Sequence, residues 1–311
     1  MLVSSRSLLL KAQKGGYAIG AFNIDNLEMV QAVVRAAINK QSPAIIATSE
    51  SSIAYAGGPA VLKALVSIVT QGRIPFVLHL DHGKDIALIK QCIDIGWTSV
   101  MYDGSLLPYD QNIKNTQEVV AYAHKHHVSV EAELGALKVQ EDGETGAEQH
   151  FTDPDQADVF VRTTGVDSLA IAIGTSHGAF KAKGDVRLDY SRLKKIQQRV
   201  RVPLVLHGAS TLSRSLQKKM HKNCEDLNDC LRLEGAHGIR PSAIRKCISL
   251  GIAKVNVGTD LRASFVAGIR ESIIEHPTSY DERDFFKDAR NLIQKTIEER
   301  MVLLSSAGKA K

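Results

Sequence analysis

The sequence predicts an α/β chain folded as a (β/α)8 TIM barrel, and three observations carry that prediction. Eight short β-branched or apolar runs recur along the chain. Most are apolar on both faces, as strands buried within a parallel sheet are. The stretches between them show helical spacing of apolar residues. Strand and helix alternating eight times without interruption is the pattern of a closed barrel. An open doubly wound sheet is the structural alternative, but no G-x-G-x-x-G follows the first strand. The 311 residues are 44% hydrophobic and 23% charged, a globular composition that excludes a disordered or collagen-like chain. A chain of this length buries roughly three quarters of its unfolded surface and needs no disulfide or metal merely to fold.

The expected strands are residues 17–24, 44–50, 76–82, 99–104, 129–134, 168–174, 204–210 and 254–259. Between the first two, Leu27, Val30, Val33, Val34 and Ala37 fall on one helical face, as do Ile86, Leu88, Ile89, Cys92 and Ile93 after the third. Two segments exceed a minimal barrel. Residues 211–239 form a polar, basic insert after strand seven, ahead of a helix that starts near Pro241. Residues 276–311 form a C-terminal extension whose last helix aligns Ala289, Leu292, Ile293, Ile297 and Met301. No linker composition or internal repeat divides the chain, so residues 1–311 read as a single domain.

Charge and cysteine usage narrow the class. The net charge is +5 and the pI near 8.9, but the basic residues are spread along the chain. The one local cluster, Lys218, Lys219, His221 and Lys222, reads as a solvated helix face, so no nucleic-acid partner is expected. Apolar runs such as residues 168–174 are far short of the ~20 residues a membrane helix needs. Cys92, Cys224, Cys230 and Cys247 form no C-x-x-C pair, and no charged-then-apolar leader precedes them. They read as reduced thiols of a cytoplasmic protein.

The polar residues at the strand ends carry the chemistry. Asp81 and His82 end strand three, Asp103 ends strand four, and Glu133 ends strand five; His177 follows strand six, while His207 and Asn256 lie in strands seven and eight. In a barrel these positions converge on the C-terminal rim, where active sites are built. Histidines from three separate strands suit a tetrahedral Zn2+ that keeps its fourth position open, which selects His82, His177 and His207 as ligands. His79, two strand positions from Asp81, should share its face rather than that of His82 and reads as structural. His124, His126 and His127 fall in a connection and read as surface residues. Gly178, Gly208, Ser210, Gly258 and Thr259, with Lys181 nearby, place small residues and a hydroxyl where barrels often bind phosphate.

On these residues the sequence resembles the class II, metal-dependent fructose-1,6-bisphosphate aldolases. The matching pieces are Gly15-Gly-Tyr-Ala-Ile-Gly-Ala-Phe-Asn23, Leu78-His-Leu-Asp-His-Gly83, Ser99-Val-Met-Tyr-Asp-Gly-Ser105 and Val130-Glu-Ala-Glu-Leu-Gly135. Gly174-Thr-Ser-His-Gly178, Leu206-His-Gly-Ala-Ser210, Lys254-Val-Asn-Val-Gly-Thr-Asp-Leu-Arg262 and Tyr280-Asp-Glu-Arg283 complete the series in family order. The resemblance implies a catalytic Zn2+ on His82, His177 and His207, with Asp81 as the acid or base. It implies that Asp103 and Glu133 line the metal site and hold a second cation position, divalent or monovalent. Gly178, Lys181, Gly208, Ala209, Ser210, Asn256, Val257, Gly258 and Thr259 would cradle the dihydroxyacetone phosphate half of a phosphorylated ketose. Ser49 and Arg262 match substrate-contacting positions, and Arg283 matches an arginine lent to the neighbouring subunit of a homodimer or homotetramer. Glu141 aligns with the acid of the loop after strand five that protonates the leaving group.

The chain also departs from the family pattern. That loop reads Lys138-Val-Gln-Glu-Asp142 where a Gly-Gly pair is usual, and Thr211 replaces the glycine that commonly follows the serine. Gly258 stands where fructose-bisphosphate enzymes often carry Asp or Asn, whereas tagatose-bisphosphate relatives carry a small residue. An aldolase for tagatose 1,6-bisphosphate or another phosphorylated ketose is therefore the alternative within the class. A zinc hydrolase on the same barrel and a non-catalytic binding protein are the alternatives outside it.

Overall fold

The computed structural model describes residues 1–70, 72–135, 150–175, 187–210, 212–226 and 239–310. Eight parallel strands pair in sequence order, and the last closes on the first. They are β1 (Ile19–Asn23), β2 (Ala44–Thr48), β3 (Phe76–Gly83), β4 (Ser99–Tyr102), β5 (Ser129–Leu134), β6 (Ser168–Ile171), β7 (Leu204–Leu206) and β8 (Ile252–Val257). Helix α1 (Ser5–Gly15) precedes the barrel, and α2 (Leu27–Lys40), α3 (Glu50–Tyr55), α4 (Pro59–Val69), α5 (Ile86–Ile95), α6 (Tyr109–Lys125), α7 (Pro154–Thr164) and α8 (Tyr190–Arg199) follow in turn. Helices α9 (Arg214–Asp226), α10 (Pro241–Ser249), α11 (Thr259–Glu275) and α12 (Glu282–Leu303) complete the chain. Among the described residues no helix is long and apolar enough to cross a membrane.

Local chemistry sets the helix ends. The Asn26 side chain accepts the Met29 N–H at 3.0 Å to start α2, and Asp85 accepts the Ala87 N–H at 2.8 Å to start α5. Helix α5 stops at Gly96, whose φ of 104° lets its N–H return to Cys92 and Ile93. On α2 the buried face includes Met29, Val30, Val33, Val34 and Ala37, whereas Leu27, expected on that face, is 37% exposed. Leu27 opens the helix, ahead of the turns that meet the barrel.

Three elements depart from the expected alternation. Helix α1 lies under the barrel, where Leu9 and Ala12 pack against Ile19, Ile45 and Val77. Its Ser5 Oγ lies 2.7 Å from Ser129 Oγ and 3.1 Å from Ser99 Oγ. Helix α3 is a short addition after β2. Within the polar insert, α9 buries Leu216 and Met220, with Leu212 just ahead of it, against Ala263 and Ala267 of α11. Lys218, His221 and Lys222 of its basic cluster are exposed as expected, but Lys219 turns to pair with Glu271. The C-terminal face on Ala289, Ile293, Ile297 and Met301 is fully buried in α12, whereas Leu292, expected on that face, is partly buried against the cluster between α9 and α11.

Candidate active site

Two register shifts turn extra side chains into the barrel mouth. The β3–β4 ladder shifts between Leu80 and Gly83, and His82 within it has a φ of 51°. A non-glycine residue in the left-handed region of a bulge breaks strict alternation. His82 thus joins Asp81 at the interior, although neighbouring strand residues ordinarily face opposite sides. His79 shares the face of Asp81 as expected, one layer deeper. The β7–β8 ladder shifts where Leu204 opposes Ile252 and Val205 opposes Lys254, and Lys254 and Asn256 point inward beyond it.

The two described histidines of the expected ligand set meet. His82 Nε2 and His207 Nδ1 lie 2.8 Å apart. The opposite nitrogen of each ring is committed to a carboxylate: His82 Nδ1 to Asp103 at 2.7 Å, and His207 Nε2 to Glu131 at 2.9 Å. Asp81 lies beside them, its two oxygens accepting Asn23 Nδ2 and Asn256 Nδ2, each at 2.8 Å. Asp103 also accepts the Ser105 hydroxyl at 2.7 Å. Glu133 Oε2 is 3.8 Å from His82 Nδ1 and, among the described residues, is buried without a hydrogen-bond partner.

The electrostatics follow from this crowding. Burial alone would lower the pKa of His82, but the Asp81, Asp103 and Glu133 carboxylates outweigh it and raise it to about 10. Burial opposes the charge of Asp81, yet His82, Lys254 and His207 hold it well below the ordinary carboxylate range. Glu133 moves the other way, raised by burial and by the Asp103 carboxylate. Burial lowers His207 despite its bond to Glu131.

These residues fit a divalent cation. A 2.8 Å contact between two ring nitrogens requires a hydrogen between two groups that would otherwise both be acceptors. Two imidazoles oriented by carboxylates toward one point are the arrangement in which a cation replaces that hydrogen. Asp81, His82 and His207 form one group of close ligand atoms, and His82, Asp103 and Glu133 form a second. The second group, with its orphaned Glu133 oxygen, suits the expected second cation position.

The positions expected to bind phosphate or substrate divide. The Gly258 N–H reaches Ser210 Oγ at 3.4 Å, joining the loops after β7 and β8 at the N-terminus of α11, which begins at Thr259. Gly208 has a φ of 63°, Ala209 is buried, and Val257 ends β8. Ser49 caps α3, its Oγ 2.8 Å from Ser52 Oγ. Arg262 approaches Asp25 at 3.4 Å. Arg283 is 82% exposed and paired with Asp281, so the structure does not bring it to the site of its own chain. Glu141, His177, Gly178 and Lys181 lie outside the described residues.

Sequence reasoning missed Asn23, Asp25 and Glu131 as site residues. Asn23 ends β1 at the rim, and Asp25 accepts the Ser52 hydroxyl at 2.6 Å while facing Arg262. Glu131 had a signal: it stands two strand positions from Glu133, so both share one face.

The closed parallel barrel, with imidazoles and carboxylates gathered at its C-terminal rim, defines a TIM-barrel protein with a candidate metal centre. The family model "Fructose-bisphosphate aldolase class-II" matches residues 3–309. Fructose-bisphosphate aldolase of Thermus caldophilus is 40% identical over 319 aligned positions, covering 100% of both chains. That of Giardia intestinalis is 38% identical, covering 99% of this chain and 94% of its own. The crystal structure of the YdjI aldolase from Escherichia coli K12 superposes with a TM-score of 0.80 at 31% identity, covering 100% of each chain. The chain belongs to the class II fructose-bisphosphate aldolase family and is an aldolase, a carbon–carbon lyase of a metal-dependent family.

Proposed function

We propose that the protein reversibly cleaves fructose 1,6-bisphosphate to dihydroxyacetone phosphate and glyceraldehyde 3-phosphate, using Zn2+ on His82, His177 and His207. The observation that carries this reading is the 2.8 Å approach of two carboxylate-oriented imidazoles beside an aspartate clamped by two amides. The relatives named fructose-bisphosphate aldolase support the substrate. A divalent cation there supplies Lewis acidity toward the ketose carbonyl, and an imidazole set with an open position favours zinc.

The remaining steps belong to the chain. Asp81 takes the C4 hydroxyl proton during cleavage and returns it in condensation, with Asn23 and Asn256 fixing the direction of its oxygens. Glu141 protonates the carbon that the departing aldehyde leaves behind. Gly178, Lys181, the 208–210 turn and the 256–259 segment receive one phosphate, where the first turn of α11 offers backbone N–H groups. Ser49 and Arg262 contact the substrate, and Asp103 and Glu133 hold the second cation. No lysine acts as a nucleophile; Lys254 is buried and bonded to Glu131 and His79. Arg283 completes the site of a neighbouring subunit in a homodimer or homotetramer. We read the chain as one cytoplasmic barrel domain, with 211–239 and 276–311 as additions to it.

A second reading, tagatose 1,6-bisphosphate as substrate, is favoured by Gly258. A Cβ added there would meet Asn23 Oδ1 at 3.4 Å, an ordinary contact, so the position accepts a side chain and carries none. The test is a coupled triose-phosphate assay on both C4 epimers, with and without EDTA. We expect faster cleavage of the fructose epimer, abolished by metal removal and restored by Zn2+. Activity in rigorously metal-free protein would overturn the mechanism, and a preference for the tagatose epimer would reassign the substrate.

A further inference from the structure

A buried ionic pair sits one layer below the rim, and the scheme above gives it no task. Lys254 Nζ lies 2.9 and 2.8 Å from the two oxygens of Glu131 and 3.1 Å from His79 Nε2. All three residues are 1% exposed. His79 Nδ1 in turn lies 2.8 Å from Ser99 Oγ, which ties the pair to the floor of the barrel. Charges taken this far from water lose their hydration, and an apolar filling of equal volume is commonly no less stable. Stability alone therefore does not account for the pair.

Its remaining contact does. Glu131 Oε1 is also 2.9 Å from His207 Nε2. Lys254 Nζ donates to both Glu131 oxygens, the contact of an ammonium with a carboxylate, so Glu131 only accepts. Nε2 of His207 must then carry the ring hydrogen, and Nδ1 is left as the acceptor facing His82. At His82 the reverse holds, because Asp103 engages Nδ1 and Nε2 faces the shared point.

We propose that Glu131 is a positioning residue for the metal centre: it fixes the tautomer and ring direction of His207 so that Nδ1 is presented to the cation, while Lys254 anchors Glu131 by both oxygens. This rests on the reading of His207 as a ligand. The competing role is purely structural, with Glu131 present only to balance Lys254.

The two roles separate in the double variant Glu131→Leu/Lys254→Met, which removes both charges together. Zinc affinity is read by competition with a chromophoric chelator, ligand geometry by the absorption of the Co2+-loaded protein, and stability by the urea midpoint of the metal-free protein. We expect a midpoint near that of the parent, zinc affinity weakened ten- to a hundredfold, and a changed cobalt spectrum. Parental zinc affinity and an unchanged cobalt spectrum in the folded double variant would overturn the proposal. Should that variant not fold, 15N imidazole shifts of the parent metal-free protein decide. A hydrogen on His207 Nε2 supports the assignment, and a neutral ring with its hydrogen on Nδ1 overturns it. His207→Ala is the control: undiminished zinc affinity there would remove His207 from the ligand set, a failure of the functional reading rather than of the hydrogen bond.

Discussion

Asp81 has each carboxylate oxygen held by a different amide, one from β1 and one from β8. Asp81→Ala should leave zinc bound and lower the cleavage rate by roughly 10²–10⁴, the usual worth of a positioned acid or base; bound metal and single-turnover rates check this together. A second prediction concerns thiols far from the chemistry. Burial pushes Cys92 and Cys247 up to about 12, so both stay protonated in the folded protein where an ordinary thiol ionises near ~8.5. At pH 9 the native protein should leave both unlabelled by iodoacetamide, and denaturation should expose them. The same shift makes them a source of stability that is complete below the ordinary thiol pKa and declines as pH rises toward 12. At this scale the sequence revealed which residues reach the rim, because Asp81, Asp103, Glu133 and His207 sit at strand ends. It did not reveal the direction of His82, because alternation points it outward and the bulge that reverses it leaves no periodic trace. Asn23 and Asp25 stayed hidden for another reason: a lone polar residue after a strand looks like an ordinary loop residue until its partner's position is known.

Helices α11 and α12 cross at Gly268, where a Cβ would lie 2.5 Å from Ala289 Cα. The obstacle is backbone, so it cannot rotate away. Gly268→Ala should cost about 1–3 kcal/mol of stability by forcing the helices apart, visible as a lower urea midpoint with the metal site intact. An ion pair between Arg300 of α12 and Asp260 of α11, 2.8 Å apart and largely buried, crosses the same interface. Element positions were legible from the runs of apolar residues, since each expected strand overlaps an observed one. Most upper ends were overestimated, although β5 ends where expected and β3 runs one residue further. The run 168–174 stays apolar to Ile173, which is buried, yet the ladder stops at Ile171. Burial beyond the last ladder bond looks the same in sequence as strand. The solvated face of α9 was legible in its basic cluster, but its packed side was not; Leu216 and Met220, with Leu212 just ahead and all spaced by four, mark it.

For the molecule as a whole, the proposed subunit exchange gives the sharpest test. Arg283 is solvent-exposed and paired with Asp281, an arrangement worth little to stability. On the proposed reading its fork of donors serves a neighbour's phosphate. Arg283→Ala should then raise KM while sparing fold and metal. Mixing it with Asp81→Ala should restore part of the activity, because a hybrid dimer has one site with both lesions and one with neither. No recovery after demonstrated exchange would place Arg283 in its own site or in none. The lower end of the barrel has its own consequence. With α1 seated on Ile19, Ile45 and Val77, and Ser5 bonded to Ser99 and Ser129, the barrel is a cup rather than a tube. On the proposed reading, cations and the sugar would both arrive from the rim opposite α1, and a seated sugar would slow the exchange of the inner ring's contents with the solution outside.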